Sequence, residues 1–331
     1  MEKYLNKILI IDGSYALHRC LHQPNLAELE TTTGIKSGGV FGVMKMLQSE
    51  IKRFPGYMPI FCWDKGLSPR RTTLYPDYKA NRKRLEADAM LATGIKDEKE
   101  IYLEEYHRQR DDLIVILKCL GIPSILENGW EGDDIQYILS RVCEEGVIVT
   151  DDKDLIQLVA PNIKIRRAMR DEIISWEESD IHYRHPHFTI AKSIIGDESD
   201  NILQVAQGVG DKSADQIAYI IDMYGDDVAK YKEGLINFIN DPENGKKPIS
   251  KKVKAVLDNW DRFIINYNLI NLRLVEPPIG FENLIQENIK ITLKQTNLFT
   301  AYSLIGKYEM NTIFPDQIIA AISIASSTVL K

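Results

Sequence analysis

The sequence predicts an α/β fold, a parallel sheet flanked by helices, followed by a smaller helical unit. Three observations predict it. Apolar, β-branched runs alternate with stretches whose apolar residues recur at helical spacing. Each of those runs, or the turn that follows it, ends on acid. From about Ile190 the pattern changes to paired helical segments around a glycine-containing turn.

Taken in order, "KILIID" reads as a strand ending at Asp12, and "VFGVMKMLQSEIKRF" as an amphipathic helix stopped by Pro55-Gly56. "MPIFCWD" is a second strand, ending at Asp64. A basic stretch follows, then a long helix-prone and more acidic segment up to Leu120. "GIPSILEN" predicts a third, short strand, leading to the helix "GWEGDDIQYILSRVCEEG". "VIVTDDKD" is the fourth. Strands alternating with helices favour parallel pairing. Beyond the glycine turn the chain reads as mostly helical to Lys331.

The bulk properties exclude several classes. With 331 residues, 44% hydrophobic and 27% charged, the chain has enough apolar surface for a core of its own. No apolar run approaches the ~20 residues of a membrane span. The start leaves no room for a signal peptide, so the expected compartment is the cytoplasm. Four scattered cysteines without a C-x-x-C pair read as reduced thiols. The net charge of −7 does not announce a polyanion partner, although a carboxylate-rich site would mask basic patches in the total.

The acids carry the chemistry. Asp12, Asp64, Glu131 with Asp133 and Asp134, and Asp152 with Asp154 fall at strand ends, and in open α/β sheets such ends share one edge. Asp197 and Asp200, in "GDESDN", are three apart and share a face if the turn is helical. Any one of them is ordinarily a cap or a turn residue. Together they cannot share a pocket as bare anions, and all-oxygen donors favour magnesium or manganese. Two such ions about 4 Å apart form a recurrent phosphodiester-cleaving arrangement.

Other motifs weigh less. From Asp64 to Arg84 there are seven basic residues against two acidic, with Tyr75 and Tyr78 interleaved, a composition that suits phosphates and unstacked bases. "KIRRAMR" and "KKPISKKVK" are weaker, reading equally well as solvated faces. "GVGDKSA" sets two glycines before a helix start, where backbone N–H groups can hold a phosphate. His182, His185 and His187 lack a matching ligand set elsewhere in the sequence and read as a polar connecting loop.

The ordered set "ILIIDGSYALHR", "FCWDKG…RRTTLYPDYKANRK", "WEGDDIQYIL", "VTDDKDLIQLV" and "IIGDESDNILQVAQGVGDKSA" resembles the structure-specific 5′ nucleases. These are flap endonucleases, the 5′–3′ exonuclease domains of bacterial DNA polymerase I, and stand-alone phage or small bacterial enzymes, the last being the expected type here. The resemblance implies a PIN-like core over residues 1–189 with a helical arch at about 79–110. It also implies a helix-hairpin-helix DNA-binding subdomain over 190–280, leaving 281–331 to pack on the core. It implies two Mg2+ (or Mn2+). Asp12, Asp64, Glu131 and Asp133 would serve the first and Asp152, Asp154, Asp197 and Asp200 the second, with Asp134 behind them. Lys79 and Arg82 would act at the scissile phosphate. Arg19, Arg70, Arg71, Tyr78, Lys83, Gly208, Gly210, Lys212 and Ser213 would contact DNA, with K+ held by hairpin carbonyls. The implied substrates are 5′ flaps, nicks and RNA–DNA primer junctions. The expected state is a monomer, with a single-strand-binding protein or sliding clamp as partner. A non-catalytic DNA-structure-binding protein is the alternative, but it would have lost ligands and none is missing. Asp151 stands where the family usually has glycine.

Overall fold

β1 (Leu5–Asp12) lies at the centre of a six-stranded sheet because its four consecutive isoleucines and leucines, Ile8 to Ile11, are buried on both faces. The computed structural model describes residues 3–81 and 98–330; Arg82, Lys83 and half of the expected arch lie outside them. β1 pairs in parallel with β2 (Met58–Cys62) on one side and β4 (Cys143–Val149) on the other. The order is β3-β2-β1-β4-β5-β6, with β3 (Ser124–Ile125), β5 (Ile163–Arg167) and β6 (Glu172–Ile174) completing it; only β6 runs antiparallel. The chain winds outward through β2 and β3, then returns to the far side of β1. The gap between β1 and β4 is therefore the topological switch point, where such sheets place their sites.

The helices on the sheet include α1 (Gly13–His22), α2 (Gly38–Arg53), α3 (Pro69–Leu74), α4 (Glu98–Cys119) and α5 (Gly132–Val142). Two strands depart from expectation. β2 stops at Cys62, short of Asp64, and β4 begins at Cys143, earlier than the apolar run suggests. β5 was not anticipated because "KIRR" reads as a charge run. Its Arg166 is only 3% exposed and pairs with Glu50 at 3.3 Å and Asp171 at 2.7 Å. Partners distant in sequence turn an apparent surface patch into core.

A second apolar cluster forms in the helical part: α6 (His187–Ile195), α7 (Asp211–Ile221), α8 (Val228–Asn240), α9 (Pro248–Asp258) and α10 (Trp260–Ile270). On α7 the buried residues Ala214, Ile217, Ala218 and Ile221 follow the i, i+3, i+4, i+7 rule. After Phe281 the chain returns to the main core through α11 (Phe281–Lys294), α12 (Leu298–Lys307) and α13 (Pro315–Val329). Ile318, Ile322, Ala325 and Val329 of α13 are buried in that core.

The two clusters meet at a seam beneath the carboxyl edge of the sheet. Tyr78, Ile202, Leu269 and Ile270 pack there. Gln157, fully buried, spans it. Its amide donates to the Asp154 and Ile270 carbonyls at 2.8 and 3.2 Å and accepts from the Leu272 N–H at 3.0 Å.

Candidate metal centre

Each acidic group is delivered by the local fold. Asp12 ends β1 and caps α1, accepting from the Tyr15 N–H at 3.0 Å and the Thr150 hydroxyl at 3.0 Å. Asp64, two residues past β2, accepts from the Gly132 N–H at 2.6 Å, so the start of α5 neutralises part of its charge. Glu131 occupies the residue before α5 and is 3% exposed. It accepts from the Ser68 N–H at 2.9 Å, the Tyr78 hydroxyl at 2.9 Å and the Lys79 ammonium at 2.5 Å. Asp152 turns back to accept from the Asp154 N–H at 2.9 Å. Gly196 ends α6 at φ +79°, where a side chain would meet the Ile202 carbonyl at 2.4 Å. That turn presents Asp197, which caps a short turn containing Asp200.

All eight carboxylates expected as ligands line one cleft of about 500 Å3, with Lys79 on its wall. Their crowding shows in the proton affinities. Burial, then Asp64 and Asp152, push the Asp12 carboxyl up to about 7. Burial and Asp152 push Asp154 up to about 6. Burial also drives Asp133 well above the usual range. Carboxylates held that high are short of positive charge, and an all-oxygen donor set of this density fits magnesium or manganese rather than zinc.

Three cations of the chain itself hold the cleft together. The Arg71 guanidinium, 2% exposed, grips Asp134 bidentately at 2.8 and 2.9 Å and reaches Asp133 and Glu131 at 3.4 Å. Lys79 lies 3.7 Å from Asp200 as well as against Glu131. Burial alone would raise Glu131, but Arg71 and Lys79 outweigh it and hold its carboxyl down to about 2. Lys192 of α6 bridges Asp154 at 3.0 Å and Asp197 at 2.8 Å. Nothing in the sequence marked Lys192, a lone lysine in an apolar helix. His18 of α1 and Tyr106 of α4, stacked at 4.1 Å, also line the cleft and were missed for the same reason.

The expected DNA contacts divide. The Arg71 guanidinium is buried, donating to Asp134 and the Leu269 carbonyl. Tyr78 is buried likewise, 4% exposed, with its hydroxyl donating to Glu131. Arg70 donates to the Asn268 carbonyl at 2.5 Å. Arg19 lines a neighbouring pocket with Lys45, Arg53 and Arg166. Gly208, Gly210 and Lys212 are exposed at the uncapped start of α7. Ser213 is buried, and the Lys252 ammonium donates to its hydroxyl at 2.9 Å and to the Gly208 carbonyl at 2.6 Å. Asp151 accepts from the Met169 N–H at 3.1 Å and faces Arg167 at 3.9 Å, outside the cleft lining.

Residues 7–184 match the family model described as the 5′-3′ exonuclease, N-terminal resolvase-like domain. The chain is 26% identical over 279 residues to the 5′-3′ exonuclease of Buchnera aphidicola subsp. Acyrthosiphon pisum, covering 82% of this chain and 88% of that protein. It is 29% identical over 268 residues to the 5′-3′ exonuclease of Aquifex aeolicus, covering 78% and 75%. In fold it is similar to a bacteriophage T5 flap endonuclease solved with DNA and metal ions. There the TM-score is 0.59 and the identity 18%, covering 97% of this chain and 99% of that one.

Two outcomes are expected. Arg71→Ala strands the buried Asp134 charge and lowers unfolding free energy by about 3–5 kcal/mol, read by urea titration. Arg71→Lys recovers only part, since an ammonium cannot grip both oxygens. Asp12 has its folded pKa raised above the unfolded value, so its ionisation destabilises the metal-free protein above about pH 7, and stability rises as pH falls from about 7 toward 4. Asp12→Asn keeps the cap acceptor and removes the charge. At pH 8 it stabilises the metal-free protein by on the order of 1–3 kcal/mol, read by thermal melts in chelator, and flattens that pH dependence.

Proposed function

The chain belongs to the 5′-3′ exonuclease family, and on that premise we propose how it acts: as a divalent-metal-dependent, structure-specific 5′ nuclease that hydrolyses phosphodiesters of DNA near single-strand/duplex junctions. The observation that carries the reading is the convergence of eight carboxylates from five separate chain segments on one cleft at the switch point of the sheet. Asp12, Asp64, Glu131 and Asp133 would hold one Mg2+ (or Mn2+), and Asp152, Asp154, Asp197 and Asp200 another. When bound, such ions supply a more acidic water and a polarised phosphate.

The chain's own groups do the rest. Asp134, held by Arg71, fixes the first turn of α5 and so the aim of Glu131 and Asp133. Lys79, at φ +56°, projects its ammonium into the cleft from a backbone conformation that few lysines adopt. There it would neutralise charge building on the phosphoryl oxygens. Arg82 is proposed to share that task. The uncapped start of α7, with Gly208 at φ +75°, offers backbone N–H groups to a duplex phosphate. Potassium fits this hairpin poorly, because the Lys252 ammonium already takes the Gly208 carbonyl and the Ser213 hydroxyl. Lys252 would supply that positive charge itself. The proposed setting is the cytoplasm, supported by four free thiols. Flaps, nicks and primer junctions are the proposed substrates.

Asp152→Asn is expected to lower cleavage in magnesium at least about 10²-fold while leaving DNA affinity within a few-fold. Full activity of that variant would remove the assignment. End-labelled 5′-flap, nicked, blunt and RNA-primed duplexes, with cuts mapped on gels, show which junction is preferred. Duplex affinity should be the same in potassium and sodium at equal ionic strength, and Lys252→Ala should weaken it by roughly tenfold. A potassium requirement in the wild-type protein would contradict the role given to Lys252.

A further inference from the structure

A cluster unrelated to the acidic cleft lies where the short turn Ile181–Tyr183 meets α6 and α7. His182, His187 and Asp215 bring one ligand atom each to within 4.8 Å of one another. Both histidines turn a ring nitrogen to the same atom, Asp215 Oδ1: His187 Nε2 at 2.8 Å, and His182 Nδ1 in close contact. The opposite nitrogen of each ring faces a further carboxylate. His187 Nδ1 lies 2.8 Å from Asp222 Oδ2, and His182 Nε2 lies 3.5 Å from Asp180 Oδ1.

Counting protons decides what this arrangement needs. A neutral imidazole carries a single N–H. On His187 the two ring nitrogens each face a carboxylate at 2.8 Å, Asp222 and Asp215, so a neutral ring can donate to only one of them. On His182 the Asp215 contact is the closer one, with Asp180 3.5 Å from the other nitrogen. Two neutral rings bring two N–H groups to four such carboxylate contacts, a deficit that extra protons or a cation bound among them would fill. Carboxylate–histidine pairs of this type are the outer partners that orient imidazole ligands in metal sites. His187 is 1% exposed and therefore fixed, whereas His182 and Asp215 are partly open to solvent, which leaves an entry path.

We propose that His182, His187 and Asp215 form a second metal site, which takes a transition ion of the zinc class. Two imidazole nitrogens and one carboxylate oxygen are three donors of a four-coordinate ion, with water as the fourth. Bonds of about 2.0–2.1 Å hold tetrahedral donors roughly 3.3 Å apart, so the Asp215 side chain need draw back by less than about 1 Å. The donors differ from the all-oxygen set of the cleft, so the two sites select different metals. His185 is not a ligand: it is paired with Asp226 and, at 2.9 Å, with the Thr189 hydroxyl. The ion would tie the turn that precedes α6 to α7, the helix that begins at the glycine hairpin.

The test is zinc binding by the full chain in millimolar magnesium, which occupies the carboxylate cleft. Wild-type protein dialysed against micromolar Zn2+ should retain one equivalent by elemental analysis and melt at a higher temperature. His182→Ala and Asp215→Asn, both at partly exposed positions, should lose the equivalent and the shift while keeping magnesium-dependent cleavage. Asp222→Asn should weaken zinc binding by about 10–100-fold. Co2+ should give the visible absorption of a four-coordinate site with nitrogen ligands in the wild type alone. Equal zinc retention by wild type and His182→Ala would place the ion elsewhere and overturn the proposal. No retained zinc in the wild type would overturn it too, leaving protons to bridge these groups.

Discussion

The bidentate ion pair between Arg71 and Asp134 is the contact on which the rest of this molecule rests. It is buried, and a buried ion pair is a poor way to stabilise a fold compared with apolar residues of equal volume. Its value lies in where it sits. Arg71 comes from α3, Asp134 from the first turn of α5, and the same guanidinium donates at 3.1 Å to the Leu269 carbonyl of α10. One side chain thus joins the sheet's carboxyl edge to the helical part of the protein, behind the residues that would hold metal. Removing either partner would leave a charge in the interior with no water to solvate it.

The same logic extends across the cleft. Carboxylates that repel one another are held by Arg71 behind the cleft, by Lys79 between Glu131 and Asp200, and by Lys192 between Asp154 and Asp197. The centre of the cleft is therefore where electrostatic demand is greatest, as the elevated Asp12, Asp133 and Asp154 carboxyls record. Crowding of this kind lowers local stability and suits the cation site proposed above. Such a trade is common where function needs groups that the fold would otherwise keep apart.

Much of this could be read from the sequence, and the reason is geometric. Asp12, Asp64, Glu131 and Asp152 sit at or near the ends of apolar runs, and parallel topology sends such ends to one edge whatever the loops do. Arg71 and Arg166 could not be read, because charged residues look like surface until the partners that bury them are known. Arg71's partner lies 63 residues on and Arg166's Glu50 lies 116 residues back. The histidines near Pro186 were illegible for the same reason: Asp215 and Asp222 are 28 and 35 residues beyond His187. Lys252, in an unremarkable lysine-rich stretch, has a role only because α9 packs its ammonium onto the hairpin.

Gln157 gives the seam a mechanical meaning. Its buried amide holds the backbone that carries Asp154 and, on its other side, the end of α10. Displacing the helical part relative to the sheet must drag the Asp152–Asp154 turn or break hydrogen bonds inside an apolar seam. On the function proposed above, engagement of duplex by α7 and occupancy of the acidic cleft would share a coupling free energy through this amide. By reciprocity, whatever tightens one tightens the other to the same degree.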